Sequence, residues 1–229
     1  MGRPYGRAGL IDNLSSQIAS ITDNYPAPQW FIDEILSDRT SLSDLAGEWI
    51  ANLYPEIHYL LESHIDFLLN MFEKPAKARG ISRWGLKEVR LTVDRAIYLK
   101  WLFPKAKFLF LYRNPYNCYA SFQGFYWYKR WPNEPVYTPE QFGSHWKSLL
   151  EGYLASSHKV DGILIKYEDL CNKNFDFAQL ENYLELTLNK STLEKVIYST
   201  KRAASPEELR LLSNAVNPLA KNLGYELEN

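Results

Sequence analysis

Apolar residues recur at helical spacing along much of the chain, most clearly after Pro55. From that proline onward, one face repeats with a period of about 3.6 residues. Its members are Ile57, Leu60, Leu61, Ile65, Leu68, Leu69 and Phe72. His58 and His64 flank this stripe, so we expect both at the surface or boundary of the helix rather than as ligands. The pattern predicts an amphipathic helix that buries one face.

Start signals mark several of the other predicted helices. Thr138-Pro139-Glu140-Gln141 and Ser205-Pro206-Glu207-Glu208 each combine a capping residue, a proline at the first helical position and a reciprocal side chain. With these signals and the apolar pattern, helices are predicted over residues 9–21, 30–36, 41 or 43 to 53, 92–102, 115–128, 139–156, 177–183, 191–198 and 206–224. A proline-rich loop is predicted over residues 129–137.

Short apolar runs predict strands over residues 84–89, 107–112 and 162–166. The middle run is rich in aromatic residues, as a buried central strand of a parallel sheet should be. Strands that alternate with helices favour a parallel sheet covered by helices. The predicted fold class is therefore α/β, with a small parallel sheet flanked by many helices, in a single domain over residues 1–229.

A cation stands where the middle strand is predicted to end. Arg113 directly follows the strand, Asn114 is a good N-cap, and Pro115 suits the first position of the next helix. Open α/β sheets bind anions, especially phosphates, at the carboxyl ends of strands beside helix N-termini. An arginine that only forms a salt bridge with a neighbouring carboxylate would give the same local sequence. Both interpretations stay open on the local motif alone.

The ordered motifs around Arg113 resemble the sulfotransferases that use 3′-phosphoadenosine 5′-phosphosulfate (PAPS). Phe103-Pro104-Lys105-Ala106-Lys107-Phe108 leads into the strand, Arg113-Asn114-Pro115 ends it, and Ser121 lies further along the next helix. Tyr167-Glu168-Asp169-Leu170 follows the third strand. The resemblance runs from about Arg83 to Leu186 and implies a P-loop NTPase-like sulfotransferase fold.

The resemblance also implies how the nucleotide is held. Arg113 and Ser121 match the positions that hold the 3′-phosphate, and Tyr167 matches a tyrosine that contacts the adenine. A planar guanidinium suits phosphate oxygens. Trp146 resembles a recurrent tryptophan of the family, and we expect it to serve in packing.

A second family motif is a loop that wraps the 5′-phosphate with backbone amides and hydroxyl groups. Gly6, Arg7 and Gly9 match this loop, but alanine, leucine and isoleucine occupy the positions that carry hydroxyl groups in the family. Only four residues precede Tyr5, which is short for the strand that usually supports the loop. The loop is thus degenerate or truncated relative to the family, and an N-terminal tail before a helix is the alternative interpretation.

The family pattern also indicates catalytic residues. Lys87 matches a lysine that contacts the leaving phosphosulfate, whereas Val89 stands where the cytosolic branch has its histidine base. Other branches use a glutamate, which makes Glu88 and Glu34 the candidate bases. A solvent-exposed side chain is the alternative for each glutamate.

Composition narrows the classes of partner. The formal net charge of −1 gives no overall attraction to nucleic acid or to membrane surfaces. The first residues lack the apolar region of a signal peptide, no apolar run is long enough to span a bilayer, and the two cysteines suggest neither a disulfide framework nor a metal site. We therefore expect a cytoplasmic, metal-independent protein. An aromatic segment at residues 122–131 suggests either packing or a wall for a small-molecule or carbohydrate acceptor.

Three functions compete at this point. The first is a PAPS-dependent sulfotransferase that modifies a hydroxyl or amine group. The second is a catalytically impaired sulfotransferase-like protein that binds a nucleotide or a partner, which the altered loop favours. The third, a P-loop kinase, is disfavoured because the chain contains no Gly-Lys-Ser or Gly-Lys-Thr sequence.

Overall fold

The computed structural model describes residues 9–21, 57–123, 136–171, 175–189, 191 and 204–226. These residues form two compact units that divide between Ala106 and Lys107. We call residues 9–106 the first unit and residues 107–226 the second unit. The helices predicted at 30–36, at 41 or 43 to 53 and, after its first residue, at 191–198 lie outside the described residues, as does nearly all of the loop predicted at 129–137.

The first unit is helical in its described part. Its helices are α1 (Leu10–Ile21), α2 (Ile57–Leu68), α3 (Lys74–Lys77) and α4 (Val93–Leu102), with a π-helical turn at Leu69–Glu73 joining α2 to α3. The predicted helices at 9–21, after Pro55 and at 92–102 are therefore confirmed. Apolar faces of α1, α2 and α4 meet in one core, formed by Ile11, Leu14, Ile18, Leu61, Leu68, Tyr98 and Leu102.

His64 lies in the interior of the first unit, so the prediction of a position at the surface or boundary of the helix was wrong. Its ring is 3% exposed. Its Nδ1 is 2.7 Å from the Tyr98 hydroxyl, and its Nε2 is 3.1 Å from Oε1 of Gln17. Because both ring nitrogens have polar partners, the imidazole is satisfied inside the core. Apolar periodicity alone does not reveal such a pair of partners on two other helices.

The strand predicted at residues 84–89 is also wrong, because residues 81–88 form neither helix nor strand. Aromatic packing holds this segment instead. The Trp84 ring stacks on Phe72 at 5.6 Å with an interplanar angle of 12° and meets Phe103 edge-on at 5.6 Å. A strand needs a hydrogen-bonded neighbour, and none of the described backbone pairs with residues 84–89.

In its described part, the second unit contains two parallel strands surrounded by helices. Its elements are β1 (Leu109–Tyr112), α5 (Pro115–Phe122), α6 (Pro139–Ser156), β2 (Ile163–Lys166), α7 (Tyr167–Cys171), α8 (Phe177–Leu184), α9 (Pro206–Val216) and α10 (Leu219–Asn222). The strands pair in parallel, with Leu109 opposite Ile163 and Tyr112 opposite Lys166. This helix-rich arrangement with a small parallel sheet confirms the α/β fold class.

Local signals set the helix boundaries in the second unit. Both predicted capping boxes are present, at Thr138 before α6 and at Ser205 before α9. The helix predicted at 206–224 is interrupted after Val216, because Pro218 has no amide hydrogen to continue the helical ladder. The core beside these helices contains Tyr119, Val136, Phe142, Leu212, Val216, Ala220 and Tyr225.

Candidate functional site

Arg113 and Tyr167 lie together at the carboxyl edge of the two strands. Tyr112 and Lys166 are the last paired residues of β1 and β2, so the residues that follow them emerge at the same edge. Cζ of Arg113 lies 4.6 Å from the centroid of the Tyr167 ring. This is a cation–π contact, which attracts the guanidinium to the face of the ring. The parallel register thus brings together two of the residues predicted to bind the nucleotide.

The guanidinium of Arg113 is not neutralised by a neighbouring carboxylate in the described part of the chain. None of the described acidic side chains forms an ion pair with it. The carboxylate of Glu168 instead accepts a hydrogen bond from the backbone N–H of Asn114 at 2.9 Å and another from the Tyr225 hydroxyl at 2.9 Å. The interpretation of Arg113 as a simple salt-bridge residue therefore does not hold among the described residues.

The turn that carries Arg113 is fixed from both sides. Oδ1 of Asn114 accepts hydrogen bonds from the backbone N–H groups of Tyr116 at 2.9 Å and Asn117 at 3.1 Å, which confirms the predicted N-cap. The indole N–H of Trp146 donates to the Arg113 carbonyl oxygen at 3.0 Å. Trp146, predicted only to pack, thus also anchors the residue that carries the cation.

Ser121 lies in the last turn of α5 and is half-buried. At a rise of about 1.5 Å per residue, it stands about 9 Å along the helix from Pro115. Within the described residues no hydrogen bond joins Ser121 to Arg113. A role for both residues in holding one phosphate therefore requires that the phosphate bridge them.

Three tyrosines at this edge keep their protons more tightly than usual. A hydrogen bond with the Cys171 thiol is the main cause that raises the pKa of Tyr167. Burial raises the pKa of Tyr225, with its hydrogen bond to Glu168 as the next cause. Burial and then the charges of Asp169 and Glu168 raise the pKa of Tyr112. All three hydroxyl groups are therefore hydrogen-bond donors at neutral pH.

In the first unit, Gly9 immediately precedes α1 and two carboxylates lie close to it. A Cβ atom at Gly9 would lie 3.4 Å from Oδ2 of Asp12 and 3.9 Å from Oε2 of Glu88. The guanidinium Nε of Arg95 donates to Oδ1 of Asp12 at 3.0 Å, and its Nη1 donates to Asp94 at 2.7 Å. The start of α1 therefore carries acidic groups together with one arginine.

Glu88 is the candidate base whose ionisation the fold changes. The residue is exposed, but partial desolvation of its carboxyl group, and then the nearby charge of Asp12, raise the pKa of that group above the ordinary value. A raised carboxyl pKa brings a base closer to neutral pH, which favours proton transfer. Lys87, its neighbour in the sequence, is exposed and lies in the irregular segment that precedes α4.

Some predicted site residues are outside the described part of the chain. These are Gly6, Arg7 and Glu34. Conversely, sequence reasoning missed the contributions of Glu168 and Tyr225 at the strand edge. The only signal for Glu168 was its place next to Tyr167 in the Tyr-Glu-Asp-Leu motif, and nothing in the sequence connects Tyr225 with Glu168.

The second unit is a parallel-stranded α/β fold with a cation at the carboxyl edge, a class that binds anionic ligands at this position. A family model described as "Sulfotransferase family" matches residues 15–190, which is most of the chain. The protein therefore belongs to the Sulfotransferase family, whose members transfer sulfuryl groups. The match includes Lys87, Glu88, Arg113, Ser121 and Tyr167. Neither a curated protein nor a solved structure matches the chain.

No helix among the described residues is long and apolar enough to cross a bilayer. No group of three or more His, Cys, Asp or Glu side chains among them has the arrangement of a metal site. That the protein acts without a metal stays a prediction from the sequence.

Proposed function

We propose that this protein transfers a sulfuryl group from PAPS to a hydroxyl or amine group of a small-molecule or carbohydrate acceptor. Membership of the Sulfotransferase family supports the type of reaction. The geometry at the strand edge supports the choice of donor, because an arginine that lacks an ion-pair partner among the described residues suits a phosphate. Residues 1–229 would act as a single sulfotransferase-like domain in the cytoplasm.

The cation–π contact between Arg113 and Tyr167 is the single observation that carries this proposal. Arg113 would bind the 3′-phosphate of the nucleotide together with Ser121, and Tyr167 would contact the adenine. The cation–π contact restrains the guanidinium before a ligand arrives. A restrained side chain loses less conformational entropy on binding, which increases affinity.

The candidate catalytic residues have separate roles in this proposal. When bound, PAPS supplies an activated sulfuryl group whose bond to the 5′-phosphate oxygen breaks on transfer. Lys87 would stabilise the charge that develops on that phosphate. Glu88 or Glu34 would take the proton from the acceptor, and the raised pKa of Glu88 favours it as the base.

A second candidate function is nucleotide or partner binding without turnover. The carboxylates of Asp12 and Glu88 beside Gly9 favour it, because they oppose the binding of an anion at the predicted 5′-phosphate loop. In the sulfotransferase proposal, by contrast, Gly6, Arg7 and Gly9 would hold the 5′-phosphate in this loop. Arg95 offsets part of the negative charge through its ion pair with Asp12.

A thermal-shift experiment with four ligands tests which nucleotide the protein binds, which both functions require. Ligands that bind the native state raise its melting temperature by mass action. We expect adenosine 3′,5′-bisphosphate and PAPS to stabilise the protein, and adenosine 5′-monophosphate to do so weakly. ATP with Mg²⁺ serves as the control for a kinase, and stabilisation by this ligand alone would exclude the sulfotransferase proposal.

Turnover is measured on the same preparations as release of adenosine 3′,5′-bisphosphate from PAPS in the presence of pooled phenol, amine and carbohydrate acceptors. An active sulfotransferase releases the bisphosphate only when an acceptor is added. Binding of the bisphosphate without acceptor-dependent release would favour the second function.

A further inference from the structure

Glu168 uses both of its carboxylate oxygens at the strand edge. Oε1 accepts a hydrogen bond from the backbone N–H of Asn114, and Oε2 accepts one from the hydroxyl of Tyr225, both at 2.9 Å. Asn114 directly follows Arg113, and Glu168 directly follows Tyr167. The carboxylate therefore joins the two turns that carry Arg113 and Tyr167.

This arrangement leaves a negative charge close to Arg113 without an ion pair between them. The carboxylate of Glu168 binds the backbone next to Arg113. Its charge contributes to raising the pKa of Tyr167, whereas the charge of Arg113 lowers that pKa. An ion pair between Glu168 and Arg113 would occupy the N–H groups that a phosphate needs. The second hydrogen bond of Glu168, to Tyr225, is the contact that opposes this competition.

Tyr225 is itself held firmly. Its side chain is 4% exposed, and its backbone N–H donates to the Ala220 carbonyl oxygen at 2.9 Å. Nζ of Lys166 lies 4.6 Å from the centroid of its ring and donates to the Leu223 carbonyl oxygen at 3.1 Å. The Trp146 ring also meets the Tyr225 ring edge-on, with the two ring centroids 6.5 Å apart. The hydroxyl of Tyr225 is thus presented to Glu168 from a fixed position.

We propose that Tyr225 is a positioning residue for nucleotide specificity, which holds the Glu168 carboxylate away from Arg113 and so keeps the guanidinium available for the 3′-phosphate. This inference rests on the proposed function, because it assigns the ligand of Arg113. It explains why a carboxylate is tolerated next to a phosphate-binding arginine. Removal of the hydroxyl frees Oε2 of Glu168, which then competes with the phosphate.

The ligand experiment compares dissociation constants for adenosine 3′,5′-bisphosphate and adenosine 5′-monophosphate. Tyr225→Phe should weaken binding of the bisphosphate about fivefold, the scale of a partly exposed ion pair. Binding of the monophosphate should change less than twofold, because it has no 3′-phosphate. Equal losses for both nucleotides would overturn the proposal in favour of a general structural role.

The rescue experiment adds Glu168→Gln to Tyr225→Phe. Glutamine keeps an oxygen to accept from Asn114 but has no charge to pair with Arg113. The double variant should therefore recover most of the lost affinity for the bisphosphate. Tyr116→Phe is the matched control, because it removes a hydroxyl that bonds Ser213 at 3.3 Å in the same unit. No recovery in the double variant, or an equal loss in the control, would contradict the proposal.

A measurement without ligand separates this inference from the proposed function. The coupling between Arg113→Ala and Glu168→Gln is measured from urea unfolding in two backgrounds. With Tyr225 present, the effect of the double variant on the unfolding equilibrium constant should equal the product of the two single effects. In the Tyr225→Phe background, the double variant should deviate from that product by about fivefold, as expected for a new ion pair between Glu168 and Arg113. Absence of that deviation overturns the inference, whereas lack of nucleotide preference in the wild type overturns only the proposed function.

Discussion

Loss of solvation shifts the pKa values of Glu88 and His64 in the first unit, with opposite chemical consequences. Although Glu88 is exposed, partial desolvation raises the pKa of its carboxyl group, so that this group accepts protons more readily near neutral pH. Burial lowers the pKa of the His64 imidazole, so that the ring stays neutral in the core. One shift suits a proton acceptor, and the other makes the folded state sensitive to acid.

Glu88→Gln tests the proposed base. If Glu88 accepts the proton of the acceptor, we expect kcat to fall by a factor of about 10² to 10⁴, since glutamine cannot take up that proton. The wild-type rate should fall as the pH is lowered through a pKa that lies above 4.5. Affinity for adenosine 3′,5′-bisphosphate should stay the same, because only the transition state needs the base.

Glu34→Gln is the matched comparison for that experiment, because Glu34 is the other carboxylate predicted from the family pattern. If Glu34→Gln lowers kcat and Glu88→Gln does not, the assignment of Glu88 is wrong. Lys87→Ala is measured in parallel, and full activity of that variant would exclude the lysine from the reaction.

His64 makes the stability of the protein depend on pH. Because the folded pKa lies below the ordinary 6.5, stability is complete above pH 6.5 and decreases as the pH falls from there toward the folded pKa. One group can contribute a slope of at most about 1.4 kcal/mol per pH unit. The free energy of unfolding from urea titrations between pH 5 and pH 8 should therefore fall more steeply in the wild type than in His64→Gln. Parallel curves for the wild type and His64→Gln would show that unfolding does not change the protonation of His64.

At the scale of secondary structure, close approach of elements limits which residues fit. Gly162 precedes β2, and a Cβ atom there would collide with the ring of Phe110 on β1 and lie 3.1 Å from the Ser157 carbonyl oxygen. Gly162→Ala should lower the free energy of unfolding by about 1–3 kcal/mol, as overpacking does. Gly85→Ala is the control, since a Cβ at Gly85 meets nothing within 4 Å. Its effect should stay below about 0.5 kcal/mol, and similar losses in both variants would contradict the steric explanation.

Elements with local signals were the ones that the sequence predicted well. The capping boxes at Thr138 and Ser205, the N-cap at Asn114 and the apolar runs of β1 and β2 all depend on neighbours in the sequence. Residues 84–89 failed as a strand because a strand depends on a partner elsewhere in the chain, and Trp84 packs against Phe72 and Phe103 instead.

The candidate site divides in the same way. The position of Arg113 after β1 follows from local sequence, and its meeting with Tyr167 follows from parallel pairing at one edge. The hydrogen bonds that Glu168 accepts from Asn114 and Tyr225 could not be predicted, because the partners come from three separate segments. Side-chain direction at such an edge depends on packing that no short motif specifies.

At the scale of the whole molecule, the single domain predicted over residues 1–229 is testable by unfolding. A single cooperative domain should give coincident urea transitions by tryptophan fluorescence and by circular dichroism. Both units contain tryptophans, Trp30, Trp49, Trp84 and Trp101 in the first and Trp127, Trp131 and Trp146 in the second. Wild-type transitions that differ between the two probes, or a fluorescence transition with two steps, would contradict a single domain, because the two units would then unfold independently.

The central claim is that Arg113 binds the 3′-phosphate of a nucleotide. Isothermal titration of the wild type and Arg113→Ala with adenosine 3′,5′-bisphosphate and adenosine 5′-monophosphate tests it most directly. Arg113→Lys is the control that keeps the charge but loses the planar fork.

The wild type should prefer the bisphosphate, and Arg113→Ala should remove most of that preference at a cost on the order of 1.5–3 kcal/mol. Arg113→Lys should retain an intermediate preference. Equal affinity of the wild type for the two nucleotides, or an unchanged preference in Arg113→Ala, would contradict the assignment of Arg113.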